Sequence, residues 1–415
     1  PFFTSLIVRL YAWVLILRQT GLVNSVLLNT GAIARPLELI YTDGAINFTS
    51  TVNLDTGNDL LTLRANNVDF TQATLQNLST ASIRLEPYNV TTDILLNSSS
   101  GNAGGGIFLD SNAPATDISK LVGIKNLTIG RADGTGTTTV DSSGFSFNAN
   151  NNLSLLNGNV QIDGALSNGN ASGHVIAQAG TGDVLIGSGG SVTAQGPGDA
   201  IVLVAKRNLL NQAGANALSA TNGRWLTYSS SPSDDVRGGL DVAFKQYAAQ
   251  YGDTVLGFGN GHLYTYAPKV KVELQGEVRK TYDGNAAASV SDANFAMSGA
   301  IDGDTIDVLS FGNAYYADKN AGAGKQVTVD DVEVSEATNG NVKVYGYQVD
   351  ASSVSGDVGQ IDRKVLTANA DVAGKTYDGT TTANLSNVAL VGVVAGDEGK
   401  VGTSGATGAF SDKNA

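Results

Sequence analysis

Phe145-Ser146-Phe147-Asn148-Ala149-Asn150-Asn151-Asn152, followed by Val160-Gln161-Ile162, Ser167-Asn168-Gly169-Asn170, Val184-Leu185-Ile186 and Gly187-Ser188-Gly189-Gly190, carries the pattern that decides the fold. Short apolar runs alternate with clusters of Asn, Ser and Gly. Such runs are too short for a stable helix and right for a strand. The same texture reaches from Leu37 to Ala205, through Ala45-Ile46-Asn47-Phe48, Leu60-Leu61-Thr62-Leu63, Gly106-Ile107-Phe108-Leu109, Leu127-Thr128-Ile129 and Ile201-Val202-Leu203-Val204. A chain that coils strands into rungs must turn every few residues, and Asn and Gly adopt positive-φ corners at little cost. Stacked Asn side chains add hydrogen-bonded ladders along the coil. The pattern predicts an all-β chain with a parallel β-helix over residues 37–207, and a β-sandwich is the second architecture.

Composition narrows function by exclusion. The 415 residues include 51 Gly but only 7 Pro and 1 Met, and their 42% hydrophobic content lies mostly in Val, Leu, Ile and Ala, which suits many short strands joined by turns. A net charge of −13 argues against binding to phosphate backbones, so no nucleic-acid partner is expected. Cysteine is absent, which removes disulfide scaffolds, thiolate metal sites and Cys nucleophiles, and is compatible with export through a bacterial envelope. With His174 and His262 the only histidines, a His-rich metal site or a Ser-His-Asp arrangement has almost nothing to draw on. No cofactor and no metal is expected.

Outside the solenoid the chain changes character three times. Residues 1–36 start at Pro1, not Met, which predicts a truncated end, and carry an apolar stretch from Leu6 to Leu17 broken by Arg9. That stretch is short beside the roughly 20 residues of a membrane span and is left without a function. Residues 208–268 gain aromatics and contain Leu240, Ala243, Phe244 and Tyr247 at helical spacing within Gly239–Tyr247; a helical turn bordered by strands is expected there, capping the open end of the coil.

From Lys269 a second kind of repetition begins. Lys280-Thr281-Tyr282-Asp283-Gly284 recurs as Lys375-Thr376-Tyr377-Asp378-Gly379, 95 residues on. Gly303-Asp304 recurs as Gly396-Asp397, and Phe311 with Asp318-Lys319-Asn320-Ala321 as Phe410 with Asp412-Lys413-Asn414-Ala415. Alternation at Val270, Val272 and Leu274, and less regularly at Val342, Val344 and Tyr347, predicts a compact β-rich module, β-grasp or immunoglobulin-like. The first module spans 269–363 and the second 364–415, cut before its later strands, so that 368–415 should be the least self-sufficient part. The short apolar join from Val358 to Thr367 implies strand running into strand.

Three strings, Gly223-Arg224-Trp225-Leu226-Thr227-Tyr228-Ser229, Gly238-Gly239-Leu240 with Phe244 and Tyr247, and Gly259-Asn260-Gly261-His262-Leu263-Tyr264 closing on Ala267-Pro268, resemble the carboxy-terminal region of bacterial two-partner secretion exoproteins of the filamentous haemagglutinin type. The duplicated Lys-Thr-Tyr-Asp-Gly resembles the YDG repeat such exoproteins carry after their β-helix. The resemblance covers residues 40 to 415. It implies an adhesin, secreted or held at the outer membrane, that attaches to host cells, other bacteria or surfaces through a receptor or glycan. It also implies, for the parent protein, a dedicated outer-membrane β-barrel transporter, and an interior fragment for this chain. No enzymatic activity is expected.

Several residues invite a sharper reading. Tyr282-Asp283-Gly284 and Tyr377-Asp378-Gly379 offer an aromatic face beside a carboxylate, as a sugar pocket would; the simpler reading is a turn, with Asp in an Asx-turn, Gly at positive φ and Tyr packing. Asp302, Asp304 and Asp307 carry oxygen ligands for Ca²⁺ without EF-hand spacing, and a solvated loop is the simpler reading. Gly57-Asn58-Asp59-Leu60-Leu61 resembles part of a Ca²⁺-binding nonapeptide repeat but stands alone. A polysaccharide-active or carbohydrate-binding β-helix is the competing class: Asp110, Asp117, Asp133 and Asp141 supply scattered carboxylates, and Arg64, Arg84, Lys125 and Arg131 could meet an anionic glycan, but no spacing fixes a catalytic pair. Asn-x-Ser/Thr sequons stand at Asn47, Asn77, Asn89, Asn97, Asn126, Asn152, Asn170 and Asn384; in a chain so rich in Asn, Ser and Thr most arise by composition, and glycosylation is left unassigned. Trp225 is expected to pack in the core or cap, and His262 to lie at the surface or in a hydrogen bond.

Overall fold

The computed structural model describes residues 40–41, 45–47, 51–53, 60–65, 67–70, 74–96, 107–109 and 118–414. The apolar segment within 1–36 and the Gly57-Asn58-Asp59 string lie outside them. Among the described residues there is no α-helix, and the chain is almost entirely strand and turn. It divides into two compact units, one running to Ala267 and taking in Thr338–Gly346, the other formed by Pro268–Ala337 with Tyr347 onward.

The first unit is a parallel β-helix. Its chain visits three parallel sheets in turn. The first sheet stacks Leu60–Arg64, Ser82–Glu86, Asn126–Gly130, Asn152–Asn157, His174–Ala179, Gly198–Ala205 and Gly223–Ser229. The second includes Thr137–Val140, Asn159–Ile162, Val184–Ile186 and Leu209–Asn211, and the third Phe145–Ser146, Ala165–Asn168, Ser191–Ala194 and Leu218–Ala220. Register fixes the rung: Leu153 lies beside Val175 at a spacing of 22 residues, and Val175 beside Ile201 at 26. Between Ile83 and Leu127 the spacing widens to 44, and the added chain includes the parallel pair Ile94–Leu96 and Ile107–Leu109.

Parallel stacking in register turns alternation along a strand into columns through the coil. One inward column runs Leu63, Leu85, Ile129, Leu155, Ala177 and Leu203, all but closed to solvent. Its neighbour runs Ile83, Leu127, Leu153, Val175, Ile201 and ends on Trp225. Burying each Leu or Ile contributes about 1.5–3 kcal/mol.

The Asn clusters work differently from expectation. Among the described solenoid residues outside the cap, Asn77 is the one non-glycine at positive φ, and Asn148, Asn150, Asn151 and Asn152 are not. They act through their side-chain amides instead. Asn126 Nδ2 donates to Ser82 Oγ at 2.9 Å, Asn151 Nδ2 to Asn126 Oδ1 at 3.1 Å, and Asn170 Nδ2 to Asn150 Oδ1 at 3.0 Å, each bond crossing between rungs. Glycine supplies the tight approach: at Gly130, with φ +101°, a Cβ would sit 1.8 Å from the Leu156 carbonyl oxygen of the next rung.

The cap is built from strands, not the expected helix. Phe244–Gln246 is a strand, pairing in parallel with Gly261–Leu263 on one side and with Lys343–Tyr345 on the other. Glycines at positive φ, Gly238 and Gly239, and Ala248 at φ 52°, bound this stretch, and two flanking strands outweigh the local helical spacing. The Val342–Val344 alternation therefore belongs to the first unit. The three strings of the resemblance interlock here. The Phe244 ring lies where a Cβ at Gly257 or Gly261 would come within 2.1 or 2.2 Å of it. Arg224 Nη1 donates to the Gly257 carbonyl at 2.7 Å, and the Trp225 amide donates to Asn260 Oδ1 at 3.0 Å.

The second unit holds both copies of the longer repeat except Thr338–Gly346 of the first. In the first copy, Lys269–Leu274 pairs antiparallel with Phe295–Ser298 and parallel with Gln348–Val349. A four-stranded sheet orders Val278–Thr281, Val354–Asp362, Gly322–Val329 and Ala314–Tyr316. Val270, Val278, Phe295, Tyr316, Val327, Val329 and Ile361 form its interior. In the second copy Thr367–Val372 pairs with Leu385–Val391, and Thr382–Ala383 with Gly408–Ala409. Thr367–Val372 is exposed along its whole length, and Ala383 is the one apolar residue of 364–414 that is buried. The join is four residues, Arg363 to Leu366, between two strands.

Candidate functional site: the twin turns and the cleft between their modules

Each Lys-Thr-Tyr-Asp-Gly string ends a strand or extended segment in the same hydrogen-bonded turn. Asp283 Oδ1 accepts from the Asn285 amide at 3.1 Å, and Asp378 Oδ1 from the Thr380 amide at 3.0 Å, both Asx-turns. Gly284 and Gly379 follow at φ +87° and +74°. Lys280 Nζ meets Asp283 Oδ1, and Lys375 Nζ meets Asp378 Oδ1, each at 2.8 Å. Lys280 also donates to the Asn285 and Ala287 carbonyls at 2.8 and 2.9 Å. The ammonium groups hold both carboxyls below the usual range, Asp378 down to about 2, with the Thr380 donors adding to the effect. The turn reading thus describes both strings.

The same lysines correct the alignment of the repeat. Lys280 Nζ lies 5.5 Å from the Tyr316 ring centroid, and Lys375 Nζ 5.9 Å from that of Phe410. Phe410 is therefore the counterpart of Tyr316, whereas Phe311 packs on Phe295 at 5.2 Å between ring centroids. The downstream Asp-Lys-Asn echo is also a turn: the Asn320 amide donates to Asp318 Oδ1 at 2.7 Å, and Asn414 to Asp412 in the same way.

The two tyrosines part company. Tyr377 is 66% exposed, while Tyr282 is half-buried and donates its hydroxyl to Asp397 Oδ2 of the second copy at 2.5 Å. Asp397, 8% exposed, accepts Lys400 Nζ on its other oxygen at 2.7 Å. Lys400 and then Tyr282 lower the Asp397 carboxyl, and the bond to Asp397 raises the Tyr282 phenol. In the first copy the matching Asp304 accepts the Tyr347 hydroxyl at 3.0 Å, so the repeated Gly-Asp marks a carboxylate that receives a tyrosine. This corrects the solvated-loop reading at Asp304, which is buried, while Asp307 is exposed.

Around the Tyr282–Asp397 contact lies a cleft of about 380 Å³. Its walls include Tyr282 and Asn320 from the first copy, Arg363, Lys364 and Leu366 from the join, and Val393, Val394 and Asp397 from the second. Sequence reasoning missed this cleft; the one available signal was the adjacent Arg363-Lys364 pair in an acidic chain.

The remaining sequence candidates are dispersed. Arg131 is 5% exposed and held by Asp133 at 2.8 Å and by the Pro87 and Tyr88 carbonyls at 3.1 and 2.8 Å, and Arg64 pairs with Glu86 at 3.3 Å. Asp141 accepts from the Ser143 amide at 2.8 Å in a local turn. Asp110 and Asp117 lie outside the described residues. No three His, Asp or Glu side chains converge as a metal site among the described residues. His262 is buried, sharing a 2.6 Å hydrogen bond between Nδ1 and Thr227 Oγ1, with the Trp225 ring 5.6 Å away.

A family model, the YDG domain, matches residues 267–351 and 362–415. The twin turns lie within these two matched stretches, and the cleft draws its walls from both. No curated protein and no solved structure matches the chain.

Proposed function

We propose that this chain is a structural and adhesive segment of a large bacterial exoprotein, secreted or displayed at the outer membrane, attaching to host cells, other bacteria or surfaces. The observation that carries the reading is the pairing of a parallel β-helix with two YDG modules. A coil of stacked rungs is a rigid spacer whose length grows by adding rungs, and tandem modules multiply weak contacts into avidity. The filamentous haemagglutinin resemblance supports passage of the parent protein through an outer-membrane β-barrel transporter. Its three strings meet around Phe244 and Trp225, as a shared cap would require. Catalysis is left out of the proposal: Asp133 and Asp141 are spent on local partners, and Arg64 and Arg131 on ion pairs. Beads coated with the chain should bind epithelial cells or bacteria above the level of blank beads. Equal binding on every surface tried would remove adhesion from this segment.

A further inference from the structure

We propose that the cleft between the two YDG modules binds a carboxylate-bearing sugar, with Arg363 gripping the carboxylate and Tyr282 and Leu366 flanking the ring. The inference rests on the adhesive reading and adds to it a site and a ligand class. The cleft, at about 380 Å³, falls in the range of small-ligand sites.

Charge selects the ligand. The chain carries −13, yet this cleft is lined by Arg363 and Lys364, and the acid on its wall, Asp397, already has both oxygens engaged by Tyr282 and Lys400. Asp362, the acidic neighbour of Arg363 in sequence, is taken by Arg279 at 2.6 and 3.0 Å. No protein group among the described residues bonds or pairs with the Arg363 or Lys364 side chain. A planar guanidinium left free at the rim of a cleft matches a carboxylate through two parallel hydrogen bonds. The rest of the wall suits a sugar more than a bare anion. Tyr282 offers an aromatic surface, Leu366, Val393 and Val394 an apolar one for the C–H face of a pyranose, and the Asn320 amide both a donor and an acceptor for hydroxyls.

The full chain would be titrated with glucuronate, galacturonate, N-acetylneuraminate, glucose and inorganic phosphate, following the backbone amides of Leu366, Val393 and Val394 by NMR. At least one carboxylated sugar should shift these amides, and which one responds separates uronic from nonulosonic acids. Arg363→Ala should weaken that response about tenfold or more, and Arg363→Lys should restore it only in part. Both variants alter an exposed side chain, so an unchanged spectrum elsewhere verifies the fold. The proposal is overturned if no carboxylated sugar shifts these amides, if glucose or phosphate does so equally well, or if Arg363→Ala leaves the response intact. The bead assay keeps this apart from the adhesive reading. Beads carrying Arg363→Ala that bind cells as wild type does, with sugar titration silent, sink the cleft alone. A working cleft on beads that bind nothing sinks adhesion.

Discussion

The β-helix and the YDG modules both repeat, and they do so in opposite ways. Apart from one 44-residue excursion, the coil repeats every 22 to 26 residues in backbone register while its residue identities drift, so that Leu63, Leu85, Ile129 and Ala177 occupy one column. The Lys-Thr-Tyr-Asp-Gly string recurs after 95 residues with its identities kept, and its Lys and Asp build the same local turn in both copies. Stacking asks only for an apolar side chain of workable size at each inward position, whereas an Asx-turn capped by a lysine needs those particular atoms. The coil therefore puts its free energy into burial, and the second module, with Ala383 as its one buried apolar residue, puts little there.

Four measurements sharpen or break this contrast. Leu153→Ala, in the middle of an inward column, should cost about 2–5 kcal/mol in denaturant unfolding, whereas Val372→Ala, 54% exposed in the second module, should cost about 0.5 kcal/mol or less. Equal costs would put a buried core where none is visible.

Asp235 gives the next largest effect. Burial pushes its carboxyl up to about 6, against hydrogen bonds from Ser229 Oγ at 2.7 Å and the Leu209 amide at 2.8 Å. A folded value above the unfolded one stabilises the protonated form, so its contribution is full below about pH 4 and lost as pH rises through about 6. First-unit stability should fall by on the order of 2–3 kcal/mol across that window, and Asp235→Asn should flatten the profile. A profile that Asp235→Asn leaves unchanged would count against this assignment.

Tyr282→Phe should lower the stability of the second unit measurably, and Tyr377→Phe hardly at all, because one hydroxyl is bonded and the other side chain is exposed. The smallest effect belongs to Lys375→Met, which should change stability little, as expected of a surface ion pair, and bring Asp378 titration up toward the usual carboxylate range. If Asp378 titrates equally far below the usual carboxylate range with and without the lysine by NMR, the lysine is not its main partner.

Much of the fold was legible in sequence. The runs at Leu127–Ile129, Val160–Ile162, Val184–Ile186 and Ile201–Val204 are strands of the coil. Thr137–Val140 and Ser191–Ala194 escaped notice because their inward residues include Thr and Ala and their outward ones are polar, and His174–Ala179 because Ala fills two of its inward positions while the apolar Ile176 faces outward, each leaving weak apolar contrast. The rung length stayed hidden behind turns of unequal length and the 44-residue excursion between Ile83 and Leu127. Gly239–Tyr247 misled because helical spacing is a local signal, and the strand at Phe244–Gln246 is imposed by partners at Gly261 and Lys343, distant in sequence.

The candidate site divides the same way. The turns were readable because every atom that makes them lies within a few residues of the Tyr-Asp-Gly string. The cleft was not, because it joins Tyr282 to Asp397 across 115 residues and depends on how two modules meet. The match of Phe410 to Tyr316 likewise required the lysine above each ring.

Native-state hydrogen exchange on the full chain tests the central contrast most directly. Amides of the inward columns from Leu127 to Leu203 should exchange only through the largest openings, and those of Thr367–Val372 and Leu385–Val391 through local openings of much lower free energy. Equal protection in the two regions would contradict it.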